Sequence, residues 1–215
     1  MTSTILPRVV PAPEGKPTRA GAIDAQRRAL LVARDPAAWT DADAATAASE
    51  FDSLADSWDA ERSSYRKAPL EDALARGGPW STGPCVEIGS GTGVLSSLLV
   101  AVWDPVICVD VSAAMLSRAR TGLRIRADAA RLPVASGSAG TVVIGDAPLF
   151  APEVIRVLRP PGTLLWINAL GLDAPYYVPI SEILAAMQAA SSESWNGVGS
   201  EALWGSWLVC RPAVP

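Results

Sequence analysis

Four carboxylates and one glycine-rich loop carry the chemistry legible in this chain. In "CVEIGSGTGVLSSLL", residues 85–99, Glu87 stands two positions before Gly89, and Gly89, Gly91 and Gly93 alternate with Ser90 and Thr92. Glycines at this spacing let a backbone turn sharply and let a ligand touch main chain where a side chain would collide. Asp110 ends the apolar run of "VICVDVS", Asp128 closes the third strand in "RIRADAARLP", and Asp146 follows the apolar run of "TVVIGDAPLF". Each therefore falls where a buried strand opens into a loop. The chain has no histidine, which removes Ser-His-Asp and Cys-His catalysis, histidine metal sites and imidazole proton shuttling. Its three cysteines, Cys85, Cys108 and Cys210, lie far apart inside apolar runs. That pattern lacks metal-ligand spacing and predicts buried free thiols in a reducing compartment, hence a cytoplasmic protein.

The spacing within the loop narrows its ligand. A dinucleotide fingerprint, G-x-G-x-x-G, fails because Val94 occupies the sixth position from Gly89, and no G-K-[ST] makes a phosphate-binding P-loop. Pyrophosphate wants helix-terminal N–H groups and cations, whereas a carboxylate at the strand end suits a positively charged or hydroxyl-bearing ligand. Asp110 is placed to accept hydrogen bonds from a ribose diol, a role compatible with capping the helix of "SAAMLSRA". Asp128 is placed to accept one from an adenine amino group. Ribose, exocyclic amine and positive charge together describe S-adenosylmethionine.

These residues need a scaffold that brings successive strand ends together. At 215 residues with about half of them apolar, the chain suits one domain with a short extension. Its net charge of −4 and eighteen scattered Lys and Arg argue against a nucleic-acid partner. No apolar stretch reaches the ~18 residues of a membrane span, and prolines in "MTSTILPRVVPAPEGKP" stand where a signal peptide needs an apolar core. Residues 1–20 are read as a flexible leader. Residues 21–78 are read as helices forming a lid on the acceptor side, with helical spacing over 22–34 and 41–64 and a third helix opening at Pro69. Phe51, Leu54, Ala55 and Trp58 share one apolar face, with Asp52, Asp56, Asp59 and Glu61 outside it. Residues 79–215 are read as the core. There, short apolar strands alternate with helical segments, which implies a parallel sheet buried on both faces. "SWNGVGSE" and "GSWLVCRP" make a closing antiparallel pair. The expected fold is α/β and Rossmann-like, a doubly wound, mostly parallel seven-stranded sheet with that C-terminal pair and an N-terminal helical extension.

Over roughly residues 50–211 the sequence resembles the class I S-adenosylmethionine-dependent methyltransferases, in the small-molecule branch that includes ubiquinone and menaquinone biosynthesis enzymes. "FDSLADSWD" is similar to the entry helix over the cofactor, "VEIGSGTG" to the first motif and "VDVSAAMLSRAR" to the ribose-binding segment. "ADAARLPVASGSAGTVVIGDAPLF" is similar to the adenine and fourth-strand segments, and "PEVIRVLRPPGTLLWIN" to the helix and strand that follow. The resemblance implies that Glu87 and the loop of Gly89, Ser90, Gly91 and Gly93 hold the methionine part. It implies Asp110 and Val111 at the ribose, Met115 against the adenine, Asp128 and Ala129 at the adenine edge, and Trp58 in the lid. Two stretches depart from the family pattern: "SAGTVV" has no acidic residue, and "RPPG" replaces the commoner "RPGG". "GDAPLF" resembles the D-P-P-[YF] motif of amino-group methyltransferases only in part, since Ala147 and Leu149 break it.

Methyl transfer from a sulfonium is an in-line displacement of an already activated group, so alignment and exclusion of water matter more than a base. Asp146, at a strand end facing the methyl group, contacts the cofactor in this reading and is with Tyr65 a candidate to take a proton. Tyr65, Arg66, Phe150, Asn168 and Tyr176 are candidates to line the acceptor site. The expected activity is methyl transfer to a carbon, oxygen or nitrogen of a small molecule, by a monomer or homodimer, with no metal, nucleic acid or membrane insertion. Two rivals remain: a non-catalytic S-adenosylmethionine-binding protein and a nicotinamide-dependent oxidoreductase, the latter opposed by Glu87 and Val94. Trp166, Trp195, Trp204 and Trp207 are read as packing, with Trp204 and Trp207 on opposite faces of a continuous strand.

Overall fold

The computed structural model describes residues 2–16, 22–59 and 65–213. The strands are β1 (Ser3–Ile5), β2 (Cys85–Ile88), β3 (Val106–Asp110), β4 (Leu123–Arg126), β5 (Ala139–Gly145), β6 (Leu158–Asn168), β7 (Trp195–Ala202) and β8 (Gly205–Pro212). They form one sheet in the order β1-β7-β8-β6-β5-β2-β3-β4. Strands β2 to β6 run parallel, and β8 is antiparallel to both β6 and β7. The expected architecture is therefore present, with one strand more than the seven read from the sequence.

Alternation along the strands sorts the core into two layers. Val86, Ile88, Val142, Ile144, Leu164 and Trp166 point to one face. That face is covered by helices α1 (Ala22–Arg34), α6 (Ala151–Val157) and α7 (Ile180–Ala189). Cys85, Cys108, Val143, Leu165, Ile167 and Trp207 point to the other, under α3 (Ala68–Arg76) and α4 (Ser96–Leu99), and α5 (Ala113–Arg118) links β3 to β4. All three cysteines are buried and unbridged. The chain passes from β2 to β3 on one side, while β5 lies on the other. The crevice where strand order reverses thus opens beside the glycine loop after β2.

The eighth strand comes from the segment read as a leader. Ser3 to Ile5 pair in parallel with Gly197 to Gly199 of β7, and Leu6 N–H donates to the Gly199 carbonyl at 2.8 Å. All three residues are exposed, so the pairing is made by main chain alone and leaves no side-chain period to read. Helix α2 (Asp41–Leu54) opens with a capping box between Thr40 and Asp43 and ends ten residues before the helix expected over 41–64. Glu61 lies outside the described residues. Trp204 falls in the turn between β7 and β8 rather than in a strand, 5.9 Å from the Tyr65 ring. Gly140 in "SAGTVV" has a packing reason: a Cβ there would lie 2.1 Å from the Thr82 carbonyl oxygen.

Candidate functional site

At the carboxyl ends of β2, β3, β4 and β5 a pocket brings together most of the residues singled out in the sequence. Its floor is the loop of Gly89, Ser90, Gly91 and Thr92; Asp110, Val111 and Met115 follow β3, Asp128 and Ala129 follow β4, and Asp146 follows β5. Trp39, Phe51, Trp58 and Arg66 come from the N-terminal part, and Phe150 and Tyr176 stand at the side. Each carboxylate is there because a parallel strand ends at that level and the next residues turn away. The loop itself requires its glycines. Gly89, Gly91 and Gly93 have φ of 72°, 54° and 85°, and a Cβ on Gly89 would sit 2.6 Å from that of Ala147. At Gly91 a Cβ would meet only Trp58 Nε1, at 3.9 Å, so that side is open pocket.

Asp110 ties the loop to the sheet. It is buried, and its two oxygens accept from Gly91 N–H and Ser112 N–H at 2.8 Å each; burial outweighs these bonds and raises its pKa. The Val111 N–H also approaches this carboxylate, and of its roughly four lone-pair sites at least one remains for a ligand. Asp128 accepts from Ala130 N–H at 2.9 Å and from Trp39 Nε1–H at 3.1 Å. Asp146, at φ 49°, accepts from Ala169 N–H at 3.0 Å and faces the Arg66 guanidinium at 3.2 Å. That guanidinium also lies 5.0 Å above the Trp58 ring. Arg66 is only 8% exposed.

Four predicted site residues do not line this pocket. Glu87 lies beneath the loop, fully enclosed, accepting from Ser96 Oγ–H and from Cys108 Sγ–H at 3.6 Å. Desolvation pushes its pKa up to about 7, and its Oε1 has no hydrogen-bond partner among the described residues. Gly93 packs on Ala119. Tyr65 is buried with Ala169, Leu170 and Ala174 in a side cluster. Asn168 is buried with both amide atoms unpartnered among the described residues, and it too stays out of the pocket lining.

Two features escaped sequence reasoning. Trp39 lines the pocket although it precedes α2 in a segment without periodicity; the visible signal was a lone large residue just before the Thr40 cap. Asp52 of α2 and Asp56 and Asp59 just after it are exposed, outside the apolar face as expected, and they also fasten the roof. Asp52 accepts from Ser112 Oγ–H and from Ala114 N–H at 3.0 Å, Asp59 from Thr92 Oγ–H, and Asp56 pairs with Arg118.

The donor and acceptor set fits S-adenosylmethionine. Three carboxylates oppose one guanidinium in the lining, which favours a cationic ligand. The open side of Gly91 leaves room against main chain. Among the described residues no cluster of acidic, cysteine or histidine side chains is arranged to hold a metal ion.

Comparison with known proteins agrees with this geometry. Residues 86–166 match a family model described as a methyltransferase domain. No significant match is found among curated proteins. A chain of the complex between the Haloferax volcanii Trm112 methyltransferase activator and a methyltransferase superposes with a TM-score of 0.62 at 17% identity, covering 77% of this chain and 98% of that one. The DhpI–SAH complex gives 0.62 at 18%, covering 80% and 98%. A SAM-dependent methyltransferase from Aquifex aeolicus gives 0.58 at 16%, covering 77% and 98%. Likeness at these identities is a likeness of fold. The matched segment, residues 86–166, runs from the strand before the glycine loop through the strands that build the pocket, so this part of the chain is similar to a methyltransferase domain.

Proposed function

We propose that the chain transfers a methyl group from S-adenosylmethionine to a carbon, oxygen or nitrogen of a small-molecule acceptor, by alignment and without a dedicated base. The observation that carries this reading is the state of Asp146. Of the acids at the pocket it is the one beside both the loop and the acceptor side, yet its carboxylate is committed to Ala169 N–H and Arg66. One oxygen takes the Ala169 N–H and the other faces Arg66, so the side chain is engaged in holding its neighbours. With Tyr65 outside the pocket and no histidine in the chain, positioning is what remains.

When bound, the cofactor supplies a methyl group already activated on a sulfonium. Asp110 holds the ribose hydroxyls, the main chain around Gly91 and Ser90 takes the methionine part, and Asp128 with Ala129 reads the adenine edge. Asp146 fixes Arg66, whose remaining N–H donors serve an anionic group, and Phe150 and Tyr176 flank the acceptor. Residues 21–78 act as the lid: Trp39, Phe51 and Trp58 roof the pocket and keep water from the reacting atoms. The aromatic walls and the small opening suit a small, partly apolar acceptor. The three enclosed thiols place the protein in a reducing compartment in this reading, and no described helix is long and apolar enough to cross a membrane.

The test is methyl transfer from labelled S-adenosylmethionine to a panel of small aromatic acids, amines and phenols, with bulk protein and RNA as competing acceptors. Label in a small molecule is the expected outcome. Label only in protein or RNA contradicts the acceptor class, and tight cofactor binding with no transfer to anything favours the non-catalytic binder.

A further inference from the structure

We infer that Trp39 is a positioning residue for base recognition: its indole N–H fixes the rotation of the Asp128 carboxylate so that a free lone pair is presented to an exocyclic amine. The inference rests on the reading that Asp128 receives such an amine. Asp128 is held at both oxygens from different parts of the chain, Oδ1 by Ala130 N–H at 2.9 Å and Oδ2 by Trp39 Nε1–H at 3.1 Å. The first bond is local and by itself leaves the carboxylate free to swing about its terminal torsion, which is broad for aspartate. The second comes from 89 residues away and closes that freedom.

The indole is itself immobilised. Its ring meets Phe150 edge-on at a centroid distance of 5.6 Å, and the Arg28 guanidinium lies 5.8 Å from it on a side chain that also pairs with Asp43 of α2. Trp39, Phe150 and Asp128 all line the pocket. Both carboxylate oxygens keep a second lone pair after these two bonds, so the Trp39 bond orients the acceptor without saturating it. Recognition then has a chemical consequence. A purine with a 6-amino group donates to the fixed oxygen, whereas a 6-oxo purine sets one acceptor against another, and discrimination between them depends on the oxygen staying where Trp39 holds it.

The experiment is calorimetric titration of the full chain with S-adenosylhomocysteine and with its 6-oxo counterpart, S-inosylhomocysteine, for the wild type, Trp39→Phe and Asp128→Asn. Phenylalanine keeps an aromatic ring against Phe150 and removes only the donor. The expected result is a wild-type preference for the amino ligand of about tenfold or more, reduced several-fold in Trp39→Phe and lost in Asp128→Asn. If wild type and Trp39→Phe show the same preference, or if Trp39→Phe weakens both ligands equally, the inference about Trp39 is overturned while the reading of Asp128 stands. If the wild type does not discriminate, or Asp128→Asn keeps the full preference, the reading of Asp128 fails and takes the inference with it.

Discussion

Glu87 shows at the scale of one residue how burial prepares a site. Desolvation is the main force lifting its pKa to about 7, with the Asp110 charge adding to it and the Ser96 and Cys108 bonds opposing. A carboxyl whose folded pKa lies above its unfolded value of 4.5 contributes stability below that value, and this is lost as pH rises through about 7. Glu87→Gln removes the titration. Its stability relative to the parent is expected to improve between pH 5 and pH 8 by up to about 3 kcal/mol, the magnitude of such a shift, as chemical denaturation at the two pH values would show. A cationic ligand held on the loop that follows Glu87 favours the ionised carboxylate through its field, without contact. S-adenosylmethionine binding at pH 7 is therefore expected to release a fraction of a proton, seen as a dependence of the calorimetric heat on buffer ionisation enthalpy that vanishes in Glu87→Gln. The glycines separate fold from site in the same way. Alanine at Gly89 collides with Ala147, while alanine at Gly91 meets only open pocket under a φ of 54°. Gly91→Ala should cost about 1 kcal/mol of stability yet weaken S-adenosylhomocysteine binding at least about tenfold; Gly89→Ala should lower the melting temperature the more of the two.

At the scale of the element, the roof is α2 with the residues just after it, latched by the acids of that stretch. The apolar stripe of Phe51, Ala55 and Trp58 packs on Met115, and Asp52, Asp56 and Asp59 reach past it to Ser112, Arg118 and Thr92. The pKa of Asp52 is lowered, first by the Ser112 bond and then by Ala114 N–H. Its contribution is present above the unfolded value of 3.8 and is lost as pH falls through the lowered one, so the latch holds throughout the neutral range and opens only in acid. Asp52→Ala is expected to speed amide hydrogen exchange in α2 at neutral pH while the amides of β2, β5 and β6 keep their protection. Exchange that rises uniformly across the chain would instead make Asp52 a global stabiliser. Helical periodicity located the buried stripe because that stripe is set by the helix alone. It could not reveal that the flanking acids face loops of the core, because those partners lie 33 to 62 residues away in sequence.

For the whole molecule, the same division separates what was legible from what was not. Apolar runs marked the central strands and put Asp110 and Asp146 at their ends, while Asp128 followed the short alternating strand Leu123–Arg126. The crevice at the strand-order reversal then followed from topology. Contacts made by main chain or across long separations left no local trace: the pairing of β1 with β7, the Trp39 bond to Asp128, and the placement of Tyr65 against Trp204 instead of over the pocket. The central claim is that this crevice takes S-adenosylmethionine through the Asp110 carboxylate and the glycine loop. Its most direct test is calorimetric titration with S-adenosylhomocysteine, with NADH as control and Asp110→Ala beside the wild type. The account predicts saturable binding of S-adenosylhomocysteine alone, weakened at least about tenfold in the variant. Binding of NADH in preference, or no binding of S-adenosylhomocysteine by the folded wild type, would contradict it.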